Sequence, residues 1–389
     1  MRILHTSDWH LGRSFHGVGM AEAQRQFLDF LITTVAEQDV DVVVVAGDVY
    51  DRALPAPDTV DLLDDALHRL ISAGARVFVT SGNHDSARRL GFARRLVEAS
   101  GLSLRTRLED IAVPLVLDDE YGPVLFYGIP YLEPALTTEI LGAAERSHTA
   151  VLTAATAAIR ADLEQRSAAA GGRPLRSVVA AHAFVSGAEA SESERKIAVG
   201  GVESVSRSVF DGFDYVALGH LHGRQRLSDN VRYSGSPLPY SFSEAAHTKG
   251  AWLIDLDASG VSDVSALDAP VYRRLVDLEG ELEHLLEGAD YSHAEDAFVS
   301  VTLTDASRPK AAMERLTGRF PHTVALKFAP AGRPDQPEHS YSSRLRAAKD
   351  DVDVCTGFVE HVSATAVTPA ERSELRAAVE AVRLEEAEV

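Results

Sequence analysis

Five short segments of this sequence carry side chains able to bind divalent ions and to move protons: Asp8-Trp9-His10, Gly47-Asp48-Val49-Tyr50-Asp51, Gly82-Asn83-His84-Asp85, His182 and Gly219-His220-Leu221-His222. Singly, each is a weak signal. An Asp-x-His pair fits a surface loop, Asp48 fits a turn or a helix N-cap, and His182 fits a satisfied core histidine. Together, Asp8, His10, Asp48, Asn83, His182, His220 and His222 supply nitrogen and oxygen ligands without a thiolate. That donor set suits two hard or borderline divalent ions sharing one carboxylate, and it disfavours a structural zinc or iron-sulfur centre. Of the 15 histidines, only His10, His84, His182, His220 and His222 lie in these segments, and the others, including His5, His16 and His247, take a structural reading.

Each segment follows, or ends, a short apolar run: residues 3–6, 42–46, 77–80, 178–181 and 215–218. Such runs read as strands covered on both faces in an α/β layered domain, which gathers its ligands at strand C-terminal ends. A carboxylate directly beyond four valines is costly unless it is bound or solvated, so Asp48 stands out. His220 and His222, at i and i+2, point the same way if their strand continues. Gly82 lets the chain turn sharply before Asn83. Between the strands, residues 21–38 place Phe27, Leu28 and Leu31, and residues 57–72 place Val60, Leu63, Leu67 and Leu70, on helical core stripes.

A chain of 389 residues exceeds one hydrophobic core. The pattern divides it into an α/β metal-site domain over 1–268, a small α/β cap over 269–330 with strands at 272–278, 298–303 and 323–328, and a polar linker with C-terminal helices over 331–389. Thr368-Pro369-Ala370-Glu371 starts the last helix with a capping box, and Leu375, Val379 and Val382 give it one apolar face for a core or a partner. No apolar run approaches the roughly 20 residues of a membrane span, and the N-terminus meets charge too early for a signal peptide. Cys355 is the sole cysteine, so no internal disulfide forms, which suits a reducing cytoplasm. With 38 basic and 58 acidic residues the net charge is -20, which counts against an autonomous nucleic-acid-binding module. It does not exclude a nuclease, because bound ions and a partner subunit can supply the missing positive charge.

At these segments the sequence resembles the calcineurin-like metallophosphoesterases, whose pattern of Asp-x-His, Gly-Asp-x-x-Asp, Gly-Asn-His-Asp, His and Gly-His-x-His it matches in full. Within them it is similar to the bacterial SbcD family of nuclease subunits, through Ser7-Asp8-Trp9-His10-Leu11-Gly12-Arg13, Ile129-Pro130-Tyr131-Leu132-Glu133-Pro134, Ala217-Leu218-Gly219-His220-Leu221-His222 and the segment 233–242. The resemblance runs from residue 1 to about residue 256. It implies a four-layer α/β fold, a β-sandwich flanked by helices, with a small α/β cap and C-terminal helices. It puts Asp8, His10 and His222 on one ion and Asn83, His182 and His220 on the other, with Asp48 bridging. His84 is then catalytic, and Asp85 steadies its ring. The implied cofactor is a pair of divalent ions, Mn2+ before Fe2+, Zn2+ or Mg2+.

The implied activity is double-strand exonuclease and single-strand or hairpin endonuclease action on DNA, beside an SbcC-type ATPase whose coiled coil the C-terminal helices grip. A homodimer within a heterotetramer, cytoplasmic and nucleoid-associated, follows from the same likeness. Arg308, Lys310, Arg315 and Arg319 offer DNA backbone contacts from the cap, against the plainer reading of a solvated helix face. Archaeal and eukaryotic relatives carry a histidine where this chain has Asp51, so that residue's role does not transfer. Two rivals stand beside this reading. One is a phosphodiesterase for small molecules or nucleotides, which shares the Gly-Asn-His-Asp segment but does not need the cap. The other is a scaffold with a vestigial site, against which the complete ligand set argues.

Overall fold

Short valine-rich runs cannot bury both faces alone, and here they do so by stacking two sheets between helices. A computed structural model describes residues 1–195, 204–330, 351–363 and 365–387. One six-stranded sheet runs in the order Gly260–Asp268, Gly250–Asp257, Arg2–Thr6, Val42–Ala46, Arg76–Thr80, Leu102–Arg105. The other runs Gln225–Arg226, Val231–Tyr233, Tyr215–Gly219, Arg176–His182, Gly122–Ile129, Leu115–Asp119. Ile3, Val42, Val44, Phe78 and Ile254 from the first sheet meet Val124, Phe126, Val178, Tyr215 and Ala217 from the second in one dry layer. Burying each such aliphatic or aromatic side chain is worth about 1.5–3 kcal/mol, which fixes the sheets face to face.

The outer faces are covered as the helical stripes require. Helices Ala21–Glu37 and Pro57–Ser72 lay Phe27, Leu28, Leu31, Leu63 and Leu70 on the first sheet. Helix His148–Ala169 lays Val151, Leu152 and Ile159 on the second. Val60, expected on the core stripe, stays 42% exposed, because it sits one turn from the helix start at the edge of the packed face. The result is a four-layer mixed α/β fold. Arg2–Thr6, Val42–Ala46 and Arg76–Thr80 are parallel to one another, as are Arg176–His182 and Tyr215–Gly219. Their C-terminal ends therefore share an edge within each sheet, and the five segments leave from those ends.

Cα packing divides the chain into two compact units, Met1–Leu303 with Pro309–Lys327, and Thr304–Arg308 with Phe328–Val389. A three-stranded sheet, Leu275–Gly280, Phe298–Leu303 and Thr323–Phe328, corresponds to the expected cap. Its first strand begins at Leu275 instead of residue 272, and nearly all of the sheet clusters with the first unit. In the second unit, helices Asp351–Ser363 and Pro369–Ala387 pack together, and Arg372 pairs with Asp353. The capping box forms: the Glu371 N–H donates to Thr368 Oγ1 at 3.3 Å and the Thr368 N–H to Glu371 Oε2 at 2.8 Å. From residue 331 the expected linker lies outside the described residues, as do 332–350. No helix among the described residues is long and apolar enough to cross a membrane.

Candidate metal centre

The loop after Arg2–Thr6 is anchored by Trp9, which is buried and donates from Nε1 to Thr6 Oγ1 at 2.9 Å. Main-chain bonds then stitch it to the loop after Val42–Ala46: the Asp8 N–H meets the Gly47 carbonyl at 3.0 Å, and the His10 N–H meets that of Asp48 at 2.9 Å. Asp8, His10, Asp48 and His220 all adopt positive φ, at 52°, 45°, 49° and 108°. Half of the eight non-glycine residues described in that region are thus expected ion ligands. Non-glycine residues rarely tolerate this conformation, and the turns use it to aim these side chains inward.

All seven expected ligands converge. His10 Nε2 and His222 Nε2 lie 3.1 Å apart, and Asp8 joins them in one group close enough to share an ion. His182 donates from Nδ1 to the Ala46 carbonyl at 3.0 Å, which leaves Nε2 to face Asn83 Oδ1 at 3.0 Å. His220 Nδ1 faces the same Asn83 oxygen at 3.3 Å. Asp48 Oδ2 stands between the groups, 3.7 Å from His10 Nε2 and 3.4 Å from His182 Nε2. Imidazole lone pairs and carboxylate oxygens packed this tightly fit two shared cations better than they fit one another. Asp8, His10 and His222 form one group within ion-sharing reach, and Asp48 is within such reach of His10 and His84 on one side and of Asp8 and His182 on the other.

Two glycines in these segments are there for space. A Cβ on Gly82 would collide with the Asp48 carboxylate, and one on Gly219 with the Ala46 carbonyl. Gly82 does not have positive φ, so the sharp turn expected of it is not its function; close approach is. The strand also ends at Gly219, so His220 and His222 do not share a face by strand alternation. His220 reaches the centre from a left-handed turn whose N–H donates to Asp8 Oδ1 at 2.9 Å.

Asp85 differs from expectation. Its carboxylate does not touch the His84 ring. It accepts the N–H groups of Val49 at 3.1 Å, Tyr50 at 2.9 Å and Gly82 at 2.9 Å, tying two ligand loops together. Three loop donors aimed at one spot attract a carboxylate more strongly than a single ring nitrogen does. The His84 ring is instead held by a main-chain carbonyl, with Nδ1 2.8 Å from the Asp51 oxygen, while its own N–H donates to Asp48 Oδ1 at 2.9 Å. Of the nine expected site residues, His84 is the one that lines the adjoining cleft of about 850 Å³, alongside Arg13, Arg52, Tyr240 and Lys327.

Burial dominates the electrostatics. It pushes Asp8 and Asp85 above the ordinary carboxylate range, with Asp48 adding to both. It lowers His220 to about 3. For His182 burial also lowers, but Asp48 more than reverses it and holds the imidazolium up to about 9. A histidine raised from 6.5 to about 9 contributes stability that is complete below 6.5 and is lost as pH rises through 9. The metal-free chain should therefore melt at lower temperature at pH 9 than at pH 6.5. With manganese present the order should reverse, since ligation requires His182 to give up that proton. Calorimetric scans at the two pH values, with chelator or with manganese, check this; equal shifts in both series would refute it.

Of the four basic residues considered for DNA, Arg308 and Lys310 are exposed. Arg315 pairs with Glu283 at 2.6 Å, and Arg319 with Glu295 at 3.1 Å. Those last two would meet DNA with their charge already matched.

A model of the calcineurin-like phosphoesterases matches residues 1–224, more than half of the chain and the whole of the ligand constellation. The chain belongs to that family. A second family model, SbcD_C, described as the type 5 capsule protein repressor C-terminal domain, matches residues 271–363. The pair of domains in this order matches an SbcD nuclease subunit. Among solved structures, a dimetal phosphatase from Danio rerio is 14% identical, with 69% of this chain and 99% of that one covered at a TM-score of 0.41. GAP50, described as the anchor in the inner membrane complex of Plasmodium, is 10% identical, with 86% and 99% covered at 0.39. Both are loose likenesses. As a calcineurin-like phosphoesterase, the chain is a metal-dependent enzyme whose Asp and His cluster could hold two ions.

Proposed function

We propose that this phosphoesterase is the nuclease subunit of a two-component DNA-processing enzyme, hydrolysing phosphodiesters with two manganese ions. The observation that carries the chemistry is the convergence of all seven ligands beneath a cleft that exposes His84. Two ions held there would neutralise the phosphodiester and lower the pKa of a water for in-line attack. Asp48 aligns the two ligand groups and, through Oδ1, the His84 main chain. The Asp51 carbonyl accepts from Nδ1 and fixes the His84 ring, so that Nε2 faces the leaving oxygen and donates to it when the ring is the imidazolium. Asp8, His10, Asp48, His182 and His222 are buried, which strengthens the interactions among them, while Asn83, His84 and His220 are partly exposed.

DNA as substrate is supported by the second matched domain; the cations Arg13, Arg52 and Lys327 along the cleft are balanced there by Asp51, Glu192 and Asp277. With a net charge of -20, the chain needs an SbcC-type ATPase to complete the groove, and the C-terminal helices are the segment we assign to its coiled coil. Phe92 and Leu96, 81% and 79% exposed, support self-association into the homodimer of a heterotetramer. The reading implies a cytoplasmic, nucleoid-associated protein.

One experiment tests substrate and partner together. The full chain and a version lacking residues 340–389 are each mixed with the ATPase, manganese, ATP and linear or hairpin duplex DNA. Both should hydrolyse bis(p-nitrophenyl) phosphate, whereas only the full chain should co-purify with the ATPase and degrade the duplex. Hydrolysis of the small ester with no cleavage of any DNA would overturn the nuclease reading and leave a small-molecule phosphodiesterase.

A further inference from the structure

Around His222 lies a layer of buried polar groups that the reaction described above does not use. Glu194 accepts the His222 N–H, and its other oxygen takes the Ser191 N–H at 2.7 Å. Lys249, on the opposite side, donates from Nζ to the His222 carbonyl at 2.8 Å and to Ser236 Oγ at 3.0 Å. The His222 ring nitrogen turned away from His10, Nδ1, lies 2.9 Å from Ser193 Oγ and 3.4 Å from Glu244 Oε1. Glu244 in turn binds Lys249 at 2.5 Å and Ser193 Oγ at 3.0 Å. Glu194 and Glu244 are 3% and 1% exposed, so both carboxyl groups have left water.

The Lys249 ammonium reaches Glu244 Oε2 at 2.5 Å, so a cation and a carboxylate face one another in the buried layer behind the His222 ring. An ionised pair this deep costs several kcal/mol of desolvation and seldom adds to stability over an apolar replacement. Its placement accounts for it. The His222 ring is backed by a hydroxyl and a carboxylate within hydrogen-bond reach, whereas the His182 ring leans on a neutral carbonyl and His10 Nδ1 has no hydrogen-bond partner among the described residues, the Asp51 carboxylate standing 3.8 Å away. A carboxylate behind an imidazole fixes the tautomer and raises the basicity of the opposite nitrogen.

We infer that Glu244, with Ser193, Glu194 and Lys249, is a positioning network that sets the affinity of one of the two ion sites, the one formed by Asp8, His10 and His222. The inference rests on the two-ion reading of the centre. Among the described residues Asn83, His182 and His220 have no such carboxylate and ammonium layer behind them, so the two sites should differ in how they respond when the network is cut.

The test is a titration of the chelator-stripped full chain with manganese chloride, counting bound ions by electron paramagnetic resonance and resolving affinities by calorimetry. Glu244→Gln alone would strand the buried ammonium, so the paired variant Glu244→Gln with Lys249→Met removes both charges at once. Its affinity for one ion should fall by about 10–100-fold with the other unchanged. Ser193→Ala, which keeps the charges, should weaken the same ion by a smaller factor and guards against a paired variant that fails to fold. Two unshifted affinities, or two that fall together with the melting temperature, would overturn the network. A wild-type chain that takes up fewer than two ions would overturn the two-ion reading itself, and the inference with it.

Discussion

His84→Ala should retain both ions and lose about 10²–10⁴-fold in turnover, the usual worth of a positioned proton donor. The geometry separates these two outcomes. The His84 ring comes within ion-sharing reach of His10 and Asp48, but its Nδ1 is occupied by the Asp51 carbonyl, and the seven other residues already supply a ligand set for two ions. What the ring does have is a fixed Nδ1 partner and a face on the cleft. Elemental analysis beside steady-state hydrolysis of a dinucleoside phosphodiester, whose departing alkoxide needs a proton, decides the matter: loss of metal, or near-normal turnover, would remove His84 from its role. A substrate with a better leaving group should narrow the gap, because a departing oxygen that needs no proton gains little from a donor.

Asp48→Asn should do the opposite, costing metal first and activity as a consequence. Its carboxylate faces His10 and His182 from one oxygen and takes the His84 N–H on the other. An amide keeps the size but loses the charge that holds both ligand groups against their own repulsion. Turnover should drop by more than about 10³-fold, and both ions should become exchangeable on a desalting column. Excess manganese restoring much of the rate would show that Asp48 tunes affinity without bridging. The two variants form a pair: one empties the centre, the other leaves it full and idle.

Much of this centre is legible in the amino-acid sequence because its signals are local. Four valines followed by Gly47-Asp48, or Gly82-Asn83-His84 after residues 77–80, mark strand ends where an α/β fold collects ligands, and the sheets deliver them there. The roles of the same residues are less legible. Asp85 neighbours His84 along the chain, which suggests a ring contact, but its geometry answers to three amides contributed by residues up to 36 positions away. The i and i+2 spacing of His220 and His222 points to the right partners for the wrong reason, since the strand stops first. Glu194, Glu244 and Lys249 carry no signal of their own. Nothing in type or spacing separates two glutamates from the rest of 58 acidic residues; only the fold brings them onto His222.

The left-handed backbone at Asp8, His10, Asp48 and His220 bears on how this enzyme could be made hardier. Each such residue costs of order 1–3 kcal/mol in the bare chain, and glycine at the same place would release most of that. A search for heat-resistant variants conducted under chelating conditions would thus be drawn toward the ligand positions and would enrich robust proteins with no catalytic power. With divalent ions in every round, ligation offsets the strain, the same substitutions turn harmful, and selection is steered to the helices and outer strands instead.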